Sequence, residues 1–176
     1  AMVQSKDGNN EIYLVNADGS NRRRITDNSA TDTSPTFDPT GTKIAFVSER
    51  GGAPQIYVMN VDGSNVKRLS YQGGRAFDPV WSPDGAKIAF VIEKPGDGPE
   101  IYVMNADGTE AKRLTNSAGS NESPTWSPDS RHVMFASTRS GRWELGAVNV
   151  ETGEEQRISI NAQLAFQGPT WGPRRQ

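Results

Sequence analysis

Serine, aspartate and histidine together can build a hydrolase, and this chain has many of the first two but a single histidine, His132. A hydroxyl nucleophile needs an imidazole within reach to take its proton. His132 stands where Lys43 and Lys87 stand in parallel stretches, which predicts a solvent-facing side chain. No Gly-x-Ser-x-Gly elbow occurs, nor a glycine loop with lysine that would cradle phosphate. There is no cysteine, hence no thiolate chemistry and no disulfide framework. These residues predict no catalytic centre, no metal site and no cofactor, so the chain reads as non-enzymatic.

Two carboxylate patterns remain. The segments Asn16–Gly19, Asn60–Gly63 and Asn105–Gly108 superficially resemble calcium loops. The spacing fails, because Leu14 stands at the first ligand position and Ile25 at the twelfth, where the loop needs acids. They are expected to be hairpin turns with residues at positive φ. The second pattern lies ahead of four prolines: Asp32-Thr33-Ser34, Ala76-Phe77-Asp78, Asn121-Glu122-Ser123 and Phe166-Gln167-Gly168. Here the otherwise parallel stretches diverge. Loops that vary on a rigid frame are where binding specificity sits, although such loops also simply tolerate change. Asp32, Asp78 and Glu122 would gather negative charge for a cation or a basic peptide. Phe77 and Phe166 would be apolar anchors, with Gln167 beside them.

The elements that must hold these residues are written as a repeat. The phrase typified by Ile101–Thr115 recurs from Ile12, Ile56 and Leu145, an interval of 44 or 45 residues. A second phrase, Ser34–Phe46, recurs at Asp78–Phe90 and Ser123–Phe135, with a stub at Gly168–Gln176. A period in the low forties built from short strands and turns points to a propeller-type array. In the second copy the expected strands are Ser34–Phe37 innermost, Lys43–Ser48, Gln55–Asn60, and a polar outermost Val66–Ser70. The middle strands are apolar on both faces, which demands a layer on each side and suits blades stacked around an axis. Arg24, Arg68, Arg113 and Arg157 share one outer-strand position, where charge would guard an exposed edge.

The chain opens inside a second strand and closes after a first, because Pro169-Thr170-Trp171 parallels Pro79-Val80-Trp81. Sixteen strands are expected: four four-stranded blades in one domain. The repeats run about 1–33, 34–77, 78–122 and 123–167, with 168–176 completing the first blade. Closure joins the last strand to the first, either within one chain or between two chains as an eight-bladed ring. The alanines Ala45 and Ala89 in the packing face suit the wider ring, so a homodimer is expected. The 19 basic and 21 acidic residues are interspersed and the net charge is −2, which predicts neither a nucleic-acid nor a membrane partner. No apolar run approaches the roughly 20 residues of a membrane span, and no secretory leader is read ahead of the first strand.

The phrases Ser-Pro-Asp-Gly-x-Lys-Ile-Ala-Phe (Ser82–Phe90) and Ile-Tyr-Val-Met-Asn-Ala-Asp-Gly (Ile101–Gly108) resemble the TolB-type, WD-like propeller repeat. The resemblance extends over the whole chain, with local departures. Leu145-Gly146 replaces Ile-Tyr, a loss that Trp143 is expected to fill. The resemblance implies a non-catalytic platform for protein or peptide, used in the bacterial envelope and so periplasmic or secreted. It also implies alternatives, a peptidase gating domain or a carbohydrate- or cation-binding relative of polysaccharide lyases. Such propellers carry six to eight blades, so four repeats read as a fragment, a duplication product or an engineered array.

Overall fold

A computed structural model describes residues 1–6, 8–116, 119–158 and 169–170. Its described residues form fifteen strands and no helix. The first sheet has three, β1 (Met2–Lys6), β2 (Asn9–Leu14) and β3 (Arg23–Arg24). The second has β4 (Asp32–Phe37), β5 (Lys43–Ser48), β6 (Gln55–Asn60) and β7 (Lys67–Arg68). The third has β8 (Arg75–Trp81), β9 (Lys87–Glu93), β10 (Glu100–Asn105) and β11 (Lys112–Arg113). The fourth has β12 (Asn121–Trp126), β13 (His132–Ser137), β14 (Glu144–Asn149) and β15 (Glu155–Ile158). Every pairing is antiparallel between sequence neighbours. The register of Met2 with Tyr13 in the first sheet repeats that of Phe46 with Tyr57 in the second. The chain therefore does enter at a second strand; the expected sixteenth, 168–176, lies outside the described residues apart from Pro169 and Thr170.

Alternation along β5 and β6 gives each sheet a bulky face and a slender one. The bulky face of the second sheet (Ile44, Phe46, Tyr57, Met59) packs on Ile12 of the first. Its slender face (Ala45, Val47, Ile56) receives the bulky face of the third, Ile88, Phe90, Ile92, Tyr102 and Met104. The slender face of the third (Ala89, Val91, Ile101, Val103) receives Val133, Phe135 and Val148 of the fourth. Phe46, Phe90 and Phe135 hold one repeat position and are fully buried. Each contributes about 1.5–3 kcal/mol through the apolar area it removes from water.

Three local expectations need correction. The Asp-Gly pairs are not two-residue turns. Between β6 and β7 the Gly63 amide donates to the Asn60 carbonyl at 2.9 Å, and Asp62 works through its side chain, accepting from the Ser64 amide at 2.9 Å. Gly63 has φ 92°, and a Cβ there would meet the Ile25 carbonyl of the first sheet at 2.5 Å. Glycine is thus required by the close approach of two sheets as much as by the turn. The gap at Gly146 is filled by Phe135, whose Cζ lies 2.6 Å from where a Cβ would stand, rather than by Trp143.

The outer-strand arginines do not act as edge guards alone. Arg24, Arg113 and Arg157 turn back onto the first or third residue of the neighbouring strand, ion-pairing with Glu11, Glu100 and Glu144 at 2.7, 2.6 and 2.8 Å. These glutamates are buried, and a buried carboxylate persists only when paired and hydrogen-bonded. Glu11 accepts from the Thr26 hydroxyl at 2.5 Å, from the Asn28 amide and from Asn9. Burial alone would push its pKa up, but the hydrogen bonds from Thr26, Asn28, Arg24 and Asn9 outweigh it and hold the carboxyl below the usual range. Gln55 takes this place in the second sheet, and there Arg68 donates to the Ser70 carbonyl at 2.7 Å and lies over Tyr71.

Candidate binding site on the inner strands

The first strand of each complete sheet is an edge strand interrupted by proline. In β4 the ladder to β5 breaks between Thr33 and Thr36; in β8 it breaks between Phe77 and Val80, and in β12 between Glu122 and Thr125. Proline has no N–H to give a ladder, so it is tolerated in a strand at an edge or a bulge. Ser34, Asp78 and Ser123, each directly before the proline, sit at φ 50°, 50° and 56°. Side chains rarely adopt that region, and such strain persists only where the surroundings enforce it. The enforcement comes from packing of the inner strands on one another: the Trp126 indole N–H donates to the Val80 carbonyl at 3.0 Å, tying β12 to β8.

The bulges face a common cavity of about 410 Å³, lined by Ser34, Pro35, Thr36, Asp78, Pro79, Val80, Ser123, Pro124 and Pro169. One repeat position thus contributes a proline four times over, the fourth from the C-terminal stub. Asp78 is the charged member of this wall. Its carboxylate is open to water and has neither hydrogen bond nor ion pair among the described residues. Partial desolvation by the surrounding protein nevertheless pushes its pKa up.

The sequence candidates scatter around this cavity. Asp78 lines it. Asp32 does not, and supplies no charge to the mouth: it is buried at the start of β4 and bound at Oδ2 by Arg50 (2.9 Å) and Asn28 (2.7 Å). Phe77 packs in the interface between third and fourth sheets, beneath the Arg75 guanidinium. Glu122 lies half-buried in β12, paired in register with Ala136. Phe166 and Gln167 lie outside the described residues. The three described triplets belong to the inner strands and not to loops ahead of them, because β4, β8 and β12 begin at Asp32, Arg75 and Asn121. The wall residues that were missed carried a readable signal, the recurrent Ser-Pro or Asp-Pro dipeptide inside a strand. His132 is half-buried, its ring nitrogen 3.4 Å from the Asn149 side chain.

Four-stranded antiparallel sheets packed face to face in series, with proline-broken inner edges on a shared cavity, define a β-propeller-type architecture. The family comparison is specific: the TolB beta propeller domain matches residues 1–91 and 73–176, and the chain belongs to that family. A TolB homolog from Chlorobium luteolum is 48% identical over 50 residues, which is 28% of this chain and 12% of that protein. TolB from Acinetobacter baumannii superposes with a TM-score of 0.74 at 26% identity, over 86% of this chain and 38% of that one. The TolB structure from Agrobacterium tumefaciens gives 0.74 at 25% identity, over 86% and 57%. A puromycin hydrolase shares the fold at 20% identity with a TM-score of 0.67. The chain spans about an eighth of the curated relatives it matches and well under two thirds of these structures.

Proposed function

We propose that this chain is a non-catalytic propeller scaffold that binds a protein or peptide at the mouth of its central cavity. The observation that carries this is the cavity wall itself. Strained, proline-broken edges from successive sheets converge there, and one of them presents a carboxylate with no partner among the described residues. A concave site with few polar groups on a rigid frame is the usual form of a binding pocket. The test is selection of displayed peptides on the wild-type protein with counter-selection on Thr36→Trp, which blocks the mouth. Peptides that bind the first and not the second, at equal melting temperatures, support the reading. Peptides that bind both equally place recognition elsewhere.

The same reading includes how the ring closes. The first sheet turns a bulky-type face, with Met2 opposite Tyr13, away from the second sheet. The fourth sheet turns a slender-type face, Met134, Ala136, Leu145 and Ala147, away from the third. In the three interfaces described, a slender face always receives a bulky one, so the two ends are complementary. The four-sheet arc also superposes on part of longer TolB chains, which favours a wide ring. Residues 168–176 of each chain would then supply the missing inner strand of the partner's first sheet, giving a two-fold eight-bladed dimer. Light scattering on the eluted protein should return twice the 19.1 kDa chain mass; a value of one chain mass would refute the dimer.

A further inference from the structure

We propose that the cavity is an ammonium site: Asp78, with the oxygen atoms of the proline bulges around it, takes the side-chain ammonium of a lysine in a bound peptide. This rests on the cavity-mouth reading above and adds the chemistry of the ligand. The polar groups of the wall point to that ligand. Pro35, Pro79, Pro124 and Pro169 have no N–H, so those four positions offer carbonyl oxygens and no backbone donor. The bulges leave Ser34-Pro35, Asp78-Pro79 and Ser123-Pro124 outside the strand ladders. The hydroxyls of Ser34, Thr36 and Ser123 rotate to accept, and Asp78 supplies a full negative charge.

A wall that carries a carboxylate among carbonyl and hydroxyl oxygens repels carboxylates and phosphates. It suits a group with three donors and no acceptor, which is an alkylammonium. Guanidinium fits less well, because it seeks a planar carboxylate fork and an aromatic face, and among the described residues no aromatic ring lines the cavity. A lone carboxylate is too little charge to strip water from a divalent cation. The pKa of Asp78 is raised because its charge is partly desolvated, a penalty that a bound cation relieves. The repeat supplies its own control: Asp78 occupies the place of Ser34 and Ser123, at the same backbone angle.

The experiment titrates n-butylammonium, butyrate and n-butanol into the wild-type protein and Asp78→Ser, read by backbone amide NMR shifts. Serine already stands at the equivalent positions, so the variant should keep the fold. The expected result is saturable shifts near Ser34–Thr36, Asp78–Val80 and Ser123–Thr125 with n-butylammonium only. In Asp78→Ser the affinity should fall about tenfold or more, as for loss of a charge-assisted hydrogen bond. Equal binding of butyrate or butanol, or no loss in Asp78→Ser, overturns the ammonium assignment. If no small probe binds, mouth-directed display peptides that bind wild type and Asp78→Ser equally overturn it too, while the mouth reading stands. If no peptide docks at the mouth, both readings fall.

Discussion

Asp32 Oδ1 is buried without a hydrogen-bond partner among the described residues, whereas its Oδ2 receives Arg50 and Asn28. The same position in the fourth sheet is Asn121, whose Nδ2 donates to Glu100 of the third sheet at 3.1 Å while its Oδ1 accepts from Arg139 at 3.2 Å. Asp32→Asn should therefore gain a donor and keep its acceptor, raising stability by about 1 kcal/mol, read as a higher denaturation midpoint. An unchanged or lower midpoint would show that the carboxylate charge matters more than the missing donor. Glu11 yields a pH prediction. Its folded pKa is lowered, so the stabilisation it gives is complete above the unfolded glutamate pKa and is lost as pH falls through the lower folded value. Glu11→Gln copies the natural Gln55. The stability difference between wild type and this variant should shrink steadily as urea melts are repeated at falling pH. A constant difference would mean that the network does not titrate with folding.

At the scale of the strand, the fourth sheet departs from its siblings in one pair. Phe46 and Phe90 each tilt against a tyrosine at 5.9 Å, but Phe135 covers Gly146. Gly146→Ala sets a methyl group 2.6 Å from the Phe135 ring, inside the distance that real contacts reach. It should cost about 1–3 kcal/mol through overpacking. Gly146→Ala combined with Phe135→Leu should recover part of that loss; no recovery would locate the strain elsewhere. The strands themselves were readable from two-sided apolar runs. Their ends were less so: the outer strands of the first three sheets shrink to two residues, such as Lys67–Arg68, and the inner strands begin earlier than expected. Side-chain hydrogen bonds such as Asp62 to Ser64 reshape the loop, and a bulge lets proline sit within a strand. Neither effect has a period.

For the whole molecule, the prediction concerns closure. Removing residues 168–176 deletes the segment proposed to complete the first sheet, and the edge of β1 would be left as a template for association. The truncated chain should aggregate or lose its defined mass on size exclusion with light scattering. A monodisperse truncation with an unchanged melting temperature would refute the closure.

The sequence by itself determined the four-fold repeat, the all-β class and the sandwiching of each sheet, because periodic residue types are local properties of the chain. It also pointed to the segments ahead of the recurrent prolines, but as loops rather than as part of the inner strands. Only the tertiary structure separated Asp78 from Asp32. Asp78 stands directly before its proline and Asp32 three residues before its own, two positions apart in the repeat, so alternation alone would put them on one face; the bulge sends the first to the cavity, while the second stays in the ladder, buried against Arg50. Side chains alternate between faces at every step along a strand, so a site assembled from several sheets is set by registers and bulges that the spacing of residues does not record.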